Sequence, residues 1–148
     1  MRFSFLALTL TGSLALTIAL SSCTSNYPLK SVDYSDLFCD GNSKVWLVDK
    51  MIVNDVDVTR TGLRNKEVFI FHDNGVIDRL PLHAMGQNDP KKARYYLDSD
   101  KKTMSITFRK QEEWMFKLSV LEEERIIMRP LKKGSAPFTL ELIPLPEL

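Results

Sequence analysis

Four stretches in the second half of the chain alternate apolar and polar residues with a period of two. The clearest is Thr103–Phe108, in which every second residue is apolar. Successive side chains of a β-strand point to opposite faces, so this pattern predicts a strand with one buried face. The other three stretches span residues 93–97, 114–120 and 138–142.

The first half of the chain carries β-rich apolar runs that are separated by turn residues. Asp73-Asn74-Gly75 is a strong hairpin signal, because Asn and Gly tolerate a positive φ. Together the patterns predict eight strands, at 44–53, 66–72, 76–82, 93–97, 103–108, 114–120, 125–130 and 138–142. We therefore predict an all-β fold: a single small antiparallel up-and-down barrel of about eight strands, which avoids exposed sheet edges by closing.

The N-terminus has the features of an export signal. Arg2 precedes an uncharged, mostly apolar run from Phe3 to Leu20, and the small residues Ser21 and Ser22 follow it. The alternative is an uncleaved membrane anchor, although the run is slightly short and diluted by Ser and Thr for a helix of about 20 apolar residues.

Leu20-Ser21-Ser22-Cys23 resembles the lipobox of bacterial lipoprotein signal peptides. The resemblance implies that the chain is cut before Cys23, that its thiol receives a diacylglyceryl group and that its new amine is acylated. Several acyl chains on one residue hold a protein firmly at a membrane, whereas one alone is marginal. Thr24 follows the cysteine, with no Asp there to imply inner-membrane retention. The expected location is the outer membrane, on its periplasmic face.

These features divide the chain into a signal peptide (1–22), an anchor cysteine with a tether (23–42) and a barrel domain (43–148). The end of the tether leaves an alternative open, because residues 33–38 also suit one short turn of helix lying across the domain. Cys39 remains without an intrachain partner once Cys23 is lipidated, which predicts a buried, inert thiol.

The strand motifs are similar to those of the lipocalin-like domains of bacterial lipoproteins. The matching segments are Ser43–Val48 with Trp46, Phe69–Gly75, Tyr95–Asp98 and Trp114–Leu118, within a likeness that spans roughly 43–143. The resemblance implies an eight-stranded up-and-down barrel. The ligand-carrying lipocalins have a glycine two residues before the first-strand Trp, and Lys44 stands there in this chain.

No motif in the chain indicates an enzyme, a metal or a cofactor. His72 and His83 are the two histidines, and no Cys or acidic residue stands at zinc-ligand spacing from them. The Asp55/Asp57 and Asp98/Asp100 pairs fall in predicted turns, where Asp is favoured for local hydrogen bonds. The net charge of +1 gives no basic excess for nucleic acid.

An aromatic set on the predicted apolar faces is the best lead to a binding site. Such residues either fill a solid barrel core or line a cavity for an apolar ligand. The set comprises Trp46, Tyr95, Phe108, Trp114, Phe116 and Phe138. The expected function is therefore a lipid-anchored envelope protein that binds a small hydrophobic ligand, or alternatively a structural or interaction subunit of an envelope complex with a solid core.

Overall fold

A computed structural model describes residues 32–87, 89–109, 112–132 and 136–146. Nine strands form one antiparallel sheet. They are β1 (Ser43–Val53), β2 (Val56–Asp57), β3 (Glu67–His72), β4 (Val76–Pro81), β5 (Lys91–Asp98), β6 (Thr103–Phe108), β7 (Glu113–Glu122), β8 (Arg125–Pro130) and β9 (Thr139–Pro144). A five-residue helix, α1 (Ser35–Cys39), precedes the sheet, and two short 3-10 turns lie at Leu63–Asn65 and Leu82–Ala84.

The sheet closes into a barrel because its first long strand also pairs with its last. From β3 onwards each strand pairs with the next along the chain, and β1 pairs with β3 on one side and with β9 on the other. The β1–β9 register runs from Trp46 opposite Pro144 to Ile52 opposite Thr139. The predicted eight-stranded up-and-down barrel is confirmed, and β2 is an additional strand of two residues at the edge of β1.

The β3–β4 turn has a conformation that requires a glycine at position 75. Gly75 has a φ of 77°, and a Cβ on it would lie 3.4 Å from the carbonyl oxygen of Tyr95. The same glycine accepts a hydrogen bond from the Tyr95 amide at 2.9 Å. The turn is therefore pressed against β5, and its conformation suits glycine better than any residue with a side chain.

The main core lies inside the barrel and consists of the inward-facing residues of every long strand. It includes Trp46 and Val48 of β1, Phe69 and Phe71 of β3 and Phe116 of β7. A β-bulge between Val48 and Lys50 shifts the register of β1, so Met51 and Val53 also pack against this core.

A second apolar cluster lies outside the barrel, on the outer faces of β1, β3 and β4. It consists of Leu47, Val68, Leu80 and Leu82, with Ile143 of β9 and Leu145 just after this strand packed against it. The Leu145 amide donates to the Val45 carbonyl at 3.4 Å. Leu145 thus continues the pairing of β9 with β1, and strands that are buried on both faces explain the unbroken apolar runs in β1 and β3.

Candidate binding site at the open end of the barrel

The two ends of the barrel differ. We call the end that α1 covers the closed end, and the opposite end the mouth. The mouth is formed by the last residues of β1, β4, β6 and β8 and the first residues of β3, β5, β7 and β9.

The six aromatic residues singled out in the sequence fall into two groups. Tyr95 and Trp46 belong to the closed end, where Phe38 and Phe71 join them: the ring centroids of Phe38 and Phe71 are 5.0 Å apart and those of Phe71 and Tyr95 are 5.1 Å apart. The other four meet towards the mouth. These are Phe108, Trp114, Phe116 and Phe138. The ring centroid of Trp114 lies 4.4 Å from that of Phe108, 6.5 Å from that of Phe116 and 4.8 Å from that of Phe138.

Helix α1 provides the cover of the closed end. Phe38 is fully buried, and its carbonyl accepts a hydrogen bond from Nε1 of Trp46 at 3.1 Å. Of the two alternatives for this segment, the short helix lying against the domain is the one observed. The Cys39 side chain is buried as predicted, and its Sγ donates to the Ser35 carbonyl at 3.2 Å.

Lys44 packs against Trp46 at the same end. Its ammonium lies 4.5 Å from the centroid of the Trp46 ring, a cation–π distance. Lys44, two residues before Trp46, therefore packs a cation on this tryptophan from within the same strand.

Tyr95 links the closed end to the β3–β4 turn. Its hydroxyl donates to the His72 carbonyl at 2.7 Å. Burial, then the adjacent Cys39 thiol and Asp73, raise the pKa of Tyr95 from 10.0 to about 12. Since the folded state raises this pKa, it favours the neutral phenol, and the stability that this provides is present below pH 10 and lost as pH rises to 12.

We predict that a comparison of the wild type with the Tyr95→Phe variant reveals this loss of stability. At neutral pH the variant is less stable than the wild type, because it lacks the hydrogen bond to His72. Between pH 10 and 12 the difference in free energy of unfolding should narrow, since only the wild type has this phenol to ionise. Urea unfolding of both proteins at several pH values measures this difference in free energy of unfolding. A difference that stays constant across this range would contradict the prediction.

The mouth holds a charged pair that points inward. Glu67 lies two residues before Phe69, and Arg79 two residues after Ile77, so both share the faces of core residues. Both Nε and NH2 of Arg79 lie 2.7 Å from Oε2 of Glu67. The Arg79 guanidinium lies 5.1 Å from the centroid of Trp114, above the aromatic group. Neither residue of this pair is among those predicted from the sequence.

Two grooves lie at the mouth, and Glu67 and Arg79 line the second of them. The first, of about 600 Å³, is lined by Asp89, Pro90, Lys91, Lys92, Phe108, Arg109 and Glu112. The second, of about 270 Å³, contains Arg60, Glu67, Arg79, Asp89 and Lys91 among its lining residues. Because both grooves include Asp89 and Lys91, they adjoin. One wall is fixed by Glu112, whose Oε1 accepts a hydrogen bond from Nε1 of Trp114 at 3.0 Å.

The other polar residues considered in the sequence lie in local contacts. Nε2 of His72 is 3.2 Å from Oδ2 of Asp78, and Nδ1 of His83 is 3.0 Å from the Arg64 carbonyl. Hydrogen bonds from Thr59 lower the pKa of Asp57, and those from Lys101 lower the pKa of Asp98. The aspartate contacts join near neighbours, His72 contacts Asp78 across the β3–β4 hairpin, and His83 contacts a residue that lies 19 positions earlier in the chain.

Within the described ranges, no helix has the length and apolar character needed to span a bilayer. No protein-family model matches the chain, and no curated protein is significantly similar to it in sequence.

Proposed function

We propose that the protein is a lipoprotein of the bacterial cell envelope, held at the outer membrane by acyl chains on Cys23, and that its lipocalin-like barrel binds a small apolar ligand at the mouth. The anchor rests on the lipobox pattern at 20–23. The observation that supports binding is a groove of about 600 Å³, a volume typical of ligand sites, lined by Phe108, whose ring packs on the cluster of Trp114, Phe116 and Phe138.

The packing of the rings supports a ligand position at the mouth over one deep in the barrel. Trp46, Phe71 and Phe116 are each at most 1 % exposed, and their neighbours fill the space between them with ring contacts. Phe108, in contrast, is partly exposed and lines the first groove. A ligand therefore has an apolar surface available without displacing the core.

An interaction subunit with a solid core is the second candidate, and two observations favour it. The interior is filled by side chains, and Val56 of β2 and Val58 just after it are exposed, at 61 % and 46 %. Exposed apolar residues beside a packed barrel suit contact with another protein.

Native mass spectrometry of the protein purified gently from its own cell envelope separates the two candidates. A bound mass that is lost on denaturation supports the ligand-binding proposal, and its value identifies the ligand class. A bare mass together with a fixed, stoichiometric protein partner supports the interaction subunit instead.

The anchor has a separate test, the Cys23→Ala variant. It should take up no labelled acyl chain and should remain at precursor size, because the lipobox resemblance assigns both modification and cleavage to this cysteine. Ser22→Ala, which keeps a small residue before the cut, is the matched control and should be processed normally. Mature-size, labelled protein from Cys23→Ala would overturn the anchor.

A further inference from the structure

We infer that the ligand of the mouth is an anionic amphiphile, whose carboxylate or phosphate lies among Arg60, Arg79 and Lys91 and whose apolar part lies along Pro90 and Phe108. This inference rests on the proposed function, since it names the chemical class of ligand for the same site.

The first argument is an uncompensated cation on the inner face. Lys91 is paired with Arg79 in the β4–β5 register, so two cations stand side by side at the mouth. Arg79 has Glu67 as its partner. No carboxylate of the described residues lies within 4.0 Å of the Lys91 ammonium. Adjacent like charges without a second counter-ion favour the binding of an anion.

The second argument is that the nearby carboxylates are largely engaged. Oε2 of Glu67 contacts Arg79, and its Oε1 lies 3.9 Å from NH2 of Arg60. Glu112 accepts the Trp114 indole N–H. Asp89 is the remaining acidic residue of the two grooves, and it is exposed. A guanidinium carries five N–H donors, so Arg79 retains donors beyond those that face Glu67.

The third argument is the position of apolar surface next to this charge. Lys91 lines both grooves, and Pro90 and Phe108 line the larger one. An amphiphile that places its head group at Lys91 therefore has its first carbons against Phe108. The core beneath is packed, so a short apolar chain lying in the groove fits better than one that enters the barrel.

The test uses the mature lipidated protein in nanodiscs, with empty nanodiscs as the blank for partitioning. The probes are octanoate, octyl phosphate, octanol and octylamine, and binding is followed by tryptophan fluorescence. Octanoate or octyl phosphate should bind and octylamine should not. The stronger of the two anions identifies a carboxylate or a phosphate head group.

Two variants of β5 localise the site. Lys91→Ala should weaken binding of the anionic probes by about tenfold, the loss expected for one charge-assisted hydrogen bond. Arg94→Ala removes an exposed, outward-facing cation of the same strand and should leave binding unchanged. Circular dichroism and thermal unfolding confirm that both variants are folded.

The possible failures are distinguishable. Octanol binding as tightly as octanoate, or equal effects of the two variants, would overturn the anionic class while leaving an apolar site at the mouth. Absence of binding by every probe, with a bare mass from the native protein, would overturn the proposed function together with this inference.

Discussion

Replacing Phe38 by alanine is expected to lower the free energy of unfolding by about 3–5 kcal/mol, the usual cost of removing a buried phenylalanine ring. Phe38 is fully buried, and its ring centroid lies 5.0 Å from that of Phe71 and 6.5 Å from that of Trp46. Urea unfolding measures the change. Trp46 should also emit at longer wavelength in the folded variant, because the ring that helps to shield it from water is gone.

The control for Phe38→Ala is Tyr96→Ala, which removes an aromatic ring that is 70 % exposed. A surface substitution of this kind should change stability by less than about 0.5 kcal/mol. If Phe38→Ala were equally mild, α1 would not be packed on the barrel in solution. The result thus decides whether the folded domain begins at β1 or includes the segment before it.

The second large effect is expected from Glu67→Ala, which leaves Arg79 without its partner above Trp114 and Phe69. Removing one member of a fully buried ion pair costs about 3–5 kcal/mol. The side chains of Arg79 and Glu67 are 20 % and 14 % exposed, so solvent screening reduces the expected loss to about 1–3 kcal/mol. Equilibrium unfolding in urea gives this value directly.

A double substitution separates the ion pair from simple loss of packing. Glu67→Leu combined with Arg79→Met replaces both charges by apolar side chains, and such replacements are often neutral for stability. We expect the double variant to be more stable than Glu67→Ala alone. If the double variant lost as much stability as Glu67→Leu and Arg79→Met lose singly when added together, the two charges would not stabilise each other.

The strands could be predicted from sequence because their local signals and their burial agree. Period-two alternation located β6 at its observed bounds, Thr103–Phe108, and the hairpin signal at 73–75 located the β3–β4 turn. The ends of β5 extend beyond the predicted 93–97 to Lys91 and Asp98, where polar residues continue the pairing without an apolar signal.

Two small elements had too little local signal to be predicted with certainty. β2 has only two residues, and α1 has five residues and no side-chain hydrogen bond at its N-cap. A helix this short is not stable by itself. Its position depends on the burial of Phe38 and on the hydrogen bond from Trp46, which are contacts that only the folded barrel creates.

The aromatic residues of the candidate site could be predicted from the sequence, but its charged pair was not. Its aromatic residues follow the strand period, but their division between two ends depends on where each strand begins and ends. The inward position of Glu67 and Arg79 is not the expected one, because a charged residue near a strand end is usually exposed. Their spacing of two from Phe69 and Ile77 was the available signal, since it places both on the inner face.

The pairing of β1 with β9 affects how the chain acquires its structure. Strand Ser43–Val53 meets its second neighbour only when Thr139–Pro144 is present, almost a hundred residues later. Contacts this distant in sequence slow folding, because a long loop must be ordered before they form. A chain delivered from its N-terminus, by a ribosome or through a translocation channel, therefore cannot complete the barrel until its last strand emerges. This delay keeps the unfinished chain able to pass through a channel. Truncation before β9 would leave the edges of β1 and β8 unpaired, and unpaired strand edges are prone to aggregation.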